Sequence, residues 1–391
     1  MKSTLVTINP SFQEKGFERD SLRIEQYSVV EQQAQQAISK TLSTLSPDVP
    51  EFQPPLAIIK RSYARLLTGE PLAPDDFVLS GHELLECARL ADTDLGRYLV
   101  YRYKYNVFPK LKVVDAFPPC LQIEPTSICN FRCVMCYQTD SSFSHKSAGY
   151  MGHMSLDLFK SIVDQVHGKI EALTLASRGE PLLNSNLPAM LEHCRGKFLA
   201  LKLNTNASLL NERIVHALLS SDLQTLVFSI DAADKPTYES IRVNGNFDKL
   251  TDNLTLFSRI REAHYSHSRL ITRISGVRIN ESQSADSMEQ TWGRIADSMA
   301  FVNYSPWEDT YNNAPNTLAT PCSDLWRCMS VWWDGRVNPC DIDYKSTLSR
   351  WRMESSTISE IWTSDWYQGL REAHLNGKRS LIEPCVRCIS T

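Results

Sequence analysis

The chain has 391 residues, 22% of them charged and 42% hydrophobic, with a formal net charge of -4. That length accommodates two or three domains and a sizeable core, and the balance of charge lacks the basic surplus that a phosphate backbone demands, which argues against nucleic acid as a main partner. The opening MKSTLVTINP has no apolar signal-peptide core, and no run of about 18 apolar residues spans a bilayer, so a cytoplasmic protein with no membrane partner is expected. In that reducing compartment eleven cysteines point to metal ligands or reactive thiols rather than to disulfides.

Residues 21–45 are rich in Gln, Glu, Ala and Leu, and residues 80–108 carry apolar side chains at helical spacing. Between them lies the proline-rich linker SPDVPEFQPP. The first 118 residues therefore form a helical extension or lid, with no chemistry of their own assigned. Cys87, Cys120 and Cys194 stand apart from the other cysteines and read as small buried hydrophobes.

From residue 119 the rhythm changes to short β-rich runs alternating with amphipathic helices. Strands are expected at 121–124, 172–176, 200–204, 225–230, 270–276 and 299–303, with Ser155 capping one helix and Pro236 in the first turn of another. This alternation predicts a parallel α/β fold, doubly wound or a barrel, whose functional residues gather at the C-terminal ends of the strands. EPTSICN, SRGEP, NTNA and SIDA all fall at such ends. The last region, from about 316, holds a β-hairpin turning at Asp334-Gly335, a helical stretch and a closing EPCVRC. It is too small to bury much core alone, and a metal centre would supply the missing stability.

Cys129, Cys133 and Cys136 lie at i, i+4 and i+7. On one helix they would be an apolar stripe about 10 Å long, a poor fit to one compact metal centre, whereas a loop wrapped around the metal suits the strand end at which they sit. A zinc site wants a fourth Cys or His close by, and none follows, so three thiolates leave one coordination position open.

Cys-x-x-x-Cys-x-x-Cys after the first strand of an α/β barrel resembles the signature of the radical SAM superfamily. The resemblance covers residues 119–391. It implies a partial (β/α)6 TIM-like barrel at 119–315, between the helical extension of 1–118 and an auxiliary-cluster domain at 316–391. It also implies that the three thiolates hold a 4Fe-4S cluster to which S-adenosylmethionine (SAM) binds, with flavodoxin or ferredoxin as reductant. SRGEPLL resembles the family's Gly-Gly-Glu-Pro segment, with Arg178 in place of the first glycine, so Gly179 and Glu180 would meet the methionyl ammonium. LNTNA resembles the Thr-Asn-Gly strand end and places Asn204 and Asn206 near SAM. FSIDA with IRVNG resembles the segment in which Ser229 and Asp231 approach the ribose and Arg242 supports the site. Met135 occupies the position that packs on the adenine.

Cys322, Cys340, Cys385 and Cys388 resemble the ligands of the SPASM and twitch auxiliary domains, in the shorter form with a single auxiliary 4Fe-4S cluster. Their spacing resembles that of the radical SAM dehydrogenase acting on the aminocyclitol 2-deoxy-scyllo-inosamine. A zinc ribbon is the competing reading of these four, and Cys328 is left over, as a bystander, an alternative ligand or a hydrogen donor. The resemblance implies abstraction of a substrate hydrogen by a 5'-deoxyadenosyl radical, with oxidation or epimerisation of a carbinol in a sugar or cyclitol-like molecule. Arg178, Arg273, Arg278, Tyr304 and Glu308 are the candidate bases, none singled out, and NYSPWEDTY offers groups of the kind that hold sugars. A peptide maturase is the alternative enzyme, and a non-catalytic metal-stabilised binding protein the alternative of another class.

Overall fold

The computed structural model describes residues 24–44, 55–73 and 75–390. The linker of 46–55 lies outside the described residues except for Pro55. Six strands frame the molecule: β1 (Cys120–Ile123), β2 (Ala172–Leu175), β3 (Ala200–Thr205), β4 (Thr225–Ser229), β5 (Ile271–Arg278) and β6 (Ser298–Asn303). Each pairs in parallel with the next, in chain order across the sheet, and every expected strand is present with ends shifted by about two residues at most. The result is an α/β partial barrel.

Alternation along the strands decides what faces inward. In β3, Leu201 and Leu203 are fully buried among the helices, whereas Lys202 and Asn204 point the other way and line a central cavity. The covering helices start where short polar side chains satisfy free N–H groups. Ser155 accepts from Leu158 N at 3.2 Å before α5 (Leu156–Val166), which buries Phe159, Ile162, Val163 and Val166 along one face. Asp234 does the same for the helix Lys235–Ile241, whose Pro236 sits in the first turn as expected.

Among the described residues four α-helices precede the barrel: α1 (Ile24–Thr44), α2 (Pro55–Thr68), α3 (Gly81–Cys87) and α4 (Leu95–Leu111). The single helical stretch expected over 80–108 is thus two helices, interrupted around Asp92-Thr93-Asp94, where side chains that compete for backbone hydrogen bonds favour a turn. Ile38, Ile59, Tyr98 and Leu99 form a second core that reaches Cys120 and Ala172, the first residues of β1 and β2. Arg97 grips Glu171 just before β2 with bonds of 2.8 and 2.7 Å. This layer is a floor under the N-terminal strand ends, not a lid over the functional end.

The last region is continuous with the barrel. β7 (Cys328–Val331) adds to the free edge of β1, parallel, with Cys120 opposite Cys328 and Ile123 opposite Val331, and β8 (Arg336–Asn338) and β9 (Trp351–Arg352) follow antiparallel. The expected turn is there, with Gly335 at φ +80°. The expected helical stretch forms two helices, Ile358–Trp362 and Asp365–Leu375.

Candidate functional site

A cavity of about 490 Å³ runs through the open barrel. Its upper wall holds Cys129, Cys133, Cys136, Met135, Gly179, Glu180, Asn204, Asn206, Ser229 and Arg242, so the structure gathers nearly every residue singled out around the first cysteine group. The three cysteines lie in the irregular segment after β1 rather than on a helix, as the loop reading requires.

Hydrogen bonds explain why these residues sit where they do. A side chain on Gly179 would meet Thr126 O at 2.3 Å and Ile128 O at 2.6 Å, so only glycine lets this turn pass the cysteine loop. Glu180 N donates to Ile128 O at 2.9 Å. The Glu180 carboxylate accepts from Leu182 N (3.0 Å), Thr205 Oγ1 (2.6 Å) and Asn206 N (2.7 Å), and burial pushes its carboxyl above the usual range. Three bonds leave one lone-pair direction of the carboxylate for a guest. Asn206 reaches Asn130 in the cysteine loop at 3.0 Å and accepts from Ser208, so it braces that loop. Ser177 lies at φ +153° with its hydroxyl buried and unpartnered, a strained position on the cavity wall that sequence patterning could not reveal.

Asp231 is fully buried and does not line the cavity. Its carboxylate accepts from Arg242 Nε and from Val277 N at 2.7 Å, and Arg242 Nη1 lies 3.5 Å from Cys133 Sγ. Asp231 therefore holds the arginine that stands against a cysteine sulfur.

Arg178, one of the candidate bases, is neutralised. It is buried against Glu124 with Nε–Oε2 at 2.6 Å and Nη2–Oε1 at 2.5 Å, donates to Tyr344 O at 2.8 Å and stacks 4.2 Å from the Trp332 ring. It ties β1 to the last region instead of serving as a base. Arg273, Arg278, Tyr304 and Glu308 do not line the cavity, and Tyr304 bonds to Glu308 on the exposed side. Of NYSPWEDTY, only Trp307 reaches the wall.

Sequence patterning missed the lower wall. Gln122, Thr174, Lys202 and Ser330 point inward, and none of these side chains has a hydrogen-bond partner among the described residues; Asn204 Oδ1, in the wall above, is buried without one as well. Tyr105 of α4 and Arg327, 4.9 Å from that ring, close the bottom. The signal was present as polar residues at alternate positions of buried strands.

Cys322, Cys340, Cys385 and Cys388 line a second cavity with Leu325, Ile342 and Leu348. Arg379, almost fully buried, donates to Cys388 O (2.6 Å), Thr320 O (3.1 Å) and Cys385 O (3.3 Å), fixing the closing loop. Four cysteines around a shared cavity fit a larger cluster. Cys328 does not line this second cavity; it faces the first.

A parallel partial barrel with three cysteines and an open position at its C-terminal end, followed by a four-cysteine annex, defines a class. Residues 123–274 match the radical SAM superfamily and residues 322–389 the SPASM iron-sulfur cluster-binding domain. The chain belongs to the radical SAM superfamily and carries a C-terminal SPASM-type auxiliary domain, and these domains imply SAM, a SAM-binding 4Fe-4S cluster and auxiliary iron-sulfur as cofactors. It is 27% identical to the tungsten-containing aldehyde ferredoxin oxidoreductase cofactor-modifying protein of Pyrococcus furiosus, over 68% of this chain and 86% of that one. It is 25% identical to the AdoMet-dependent heme synthase of Methanosarcina barkeri over 186 residues, 47% of this chain and 51% of that protein. An uncharacterised Methanocaldococcus jannaschii protein matches over 43% of its length, so the chain spans about half of these latter two relatives. The fold resembles that of anSMEcpe with bound AdoMet at TM-score 0.50 and 16% identity, over 65% of this chain and 83% of that one. Among the described residues no helix is long and apolar enough to cross a membrane.

Proposed function

We propose that this enzyme generates a substrate radical in the barrel cavity and oxidises or epimerises a carbinol of a sugar or cyclitol-like small molecule. SAM and its cluster supply the 5'-deoxyadenosyl radical when bound. Cys129, Cys133 and Cys136 would ligate that cluster. Glu180, with Gly179 giving close backbone approach, would take the methionyl end of SAM, Asn204 and Ser229 the ribose, and Met135 the adenine face. Cys322, Cys340, Cys385 and Cys388 would ligate the auxiliary cluster.

The observation that carries this reading is the single cavity that joins the upper wall to a lower wall of unpartnered polar side chains. Gln122, Thr174, Lys202 and Ser330 offer donors and acceptors of the kind a polyhydroxylated molecule needs, in a space of about 490 Å³ closed below by Tyr105 and Arg327. Such a chamber orients one substrate carbon and excludes water from it. Burial holds the Lys202 ammonium below its usual pKa, with the cysteine and arginine charges around it as smaller influences, so this amine is the best-placed group to accept a hydroxyl proton.

The test is iron and sulfide content of anaerobically reconstituted protein, with reductive SAM cleavage, in wild type and in a Cys129/Cys133/Cys136→Ala variant. About eight irons in wild type, about four in the variant and 5'-deoxyadenosine from wild type alone are expected. Cleavage by the variant would sink the assignment.

A further inference from the structure

Two cysteines outside both ligand groups meet in this cavity. Cys120 opens β1 and Cys328 opens β7, directly opposite one another in the parallel register, with both side chains on the cavity wall. Neighbouring strands lie about 4.8 Å apart, inside the roughly 4.4–6.8 Å between Cα atoms that a disulfide spans. Each thiol points to the carbonyl of its own neighbour, Cys120 Sγ to Leu121 O at 3.9 Å and Cys328 Sγ to Met329 O at 3.8 Å, and Lys202 and Arg327 add positive charge beside Cys120. The sequence reading of Cys120 as an isolated buried hydrophobe therefore misses its partner, 208 positions away and supplied by the auxiliary region.

We propose that Cys120 and Cys328 form a redox-active dithiol in the floor of the reaction cavity, which closes to a disulfide by exchange with a small disulfide and reopens with a thiol reductant. In the balanced step, the Cys120 thiolate attacks one sulfur of glutathione disulfide and releases one glutathione thiolate. The Cys328 thiol then loses its proton and attacks the Cys120 sulfur of the mixed disulfide. The second glutathione leaves, so the protein loses two electrons and glutathione disulfide gains them.

The neighbouring Cys328 lowers the Cys120 thiol pKa more than burial raises it, while Cys328 is held up by its neighbour Cys120 and by burial. That polarity makes Cys120 the attacking sulfur and Cys328 the resolving one. Closed, the disulfide links the first barrel strand to the first strand of the auxiliary region. Open, it presents two thiols at the end of the chamber away from the SAM-binding wall.

The experiment equilibrates anaerobic, cluster-loaded enzyme in glutathione redox buffers, quenches free thiols by alkylation and maps peptides, with iron measured in parallel. A Cys120–Cys328 linkage that appears and disappears reversibly while iron stays constant is expected. Cys87 and Cys194, buried in the two cores, stay reduced as internal references. In Cys328→Ala the linkage is replaced by a mixed glutathione disulfide on Cys120. Cys120 and Cys328 remaining as unreactive as Cys87 and Cys194 in the most oxidising buffer would overturn the proposal. So would loss of iron in step with oxidation, which would make these sulfurs cluster ligands. Neither result depends on SAM cleavage, so the proposal and the reading of the function fail separately.

Discussion

The two cysteine cavities are built on opposite principles. The first holds the group Cys129, Cys133 and Cys136, a polar wall and a wide space continuous with the barrel interior. The second has four cysteines, a mainly apolar lining and a buried arginine that holds its loop by backbone carbonyls. A group with one ligand position unfilled can admit a reactant, whereas a closed set of four can only hold or exchange electrons. They meet at Pro339, Cys340 and Asp324, which line both. The closed site is thus placed one residue's thickness from the open one.

Cys340→Ala breaks this comparison most directly. About four of eight irons should be lost, while 5'-deoxyadenosine formation in the absence of substrate falls by less than about threefold, because the first group keeps all its ligands. Loss of both clusters together would show that the shared wall is one structural unit rather than a partition between two sites. Iron analysis beside the cleavage assay reads either outcome.

How much of this was legible follows from the range of each interaction. Cys129, Cys133 and Cys136, the strand ends and Ser155 are local patterns, so spacing alone exposes them. Gly179 and Glu180 were legible as a segment, although the reason for the glycine, the carbonyls of Thr126 and Ile128, lies on another loop. What escaped is what the fold brings from far away. Glu124 and Arg178, Cys120 and Cys328, and the inward row of Gln122, Thr174, Lys202 and Ser330 are pairings across strands, set by register rather than by neighbours in sequence. The helical floor was legible as helices but not as a floor, because nothing in its periodicity says which end of the barrel it covers.

Arg178 sharpens the comparison by joining its two halves. Both partners of the Glu124–Arg178 pair are almost wholly buried, and the guanidinium also holds Tyr344 O in the last region. Arg178→Met leaves a buried carboxylate without its counter-charge and should cost about 3–5 kcal/mol in chemical denaturation. Adding Glu124→Gln removes that charge and should recover part of the loss. A single variant within about 1 kcal/mol of wild type would mean that water or Trp333 N, 3.3 Å from Glu124, suffices to hold the carboxylate.

The smallest effect is expected at Ala207, which follows Asn206 at the open site and adopts φ +61°, where the resembled family has glycine. Left-handed backbone costs a residue with a side chain about 1–2 kcal/mol. Ala207→Gly relieves that, but it loosens the unfolded chain by about 0.5–1 kcal/mol and removes a fully buried methyl worth about 0.8 kcal/mol. The terms nearly cancel, so a stability change within about 1 kcal/mol is expected. Asn253 Nδ2 would still donate to the residue 207 carbonyl, now 2.8 Å away, and keep the turn in place. A gain well above that margin would show that strain here outweighs packing, and an accompanying change in SAM affinity would show that the strain sets the position of Asn206.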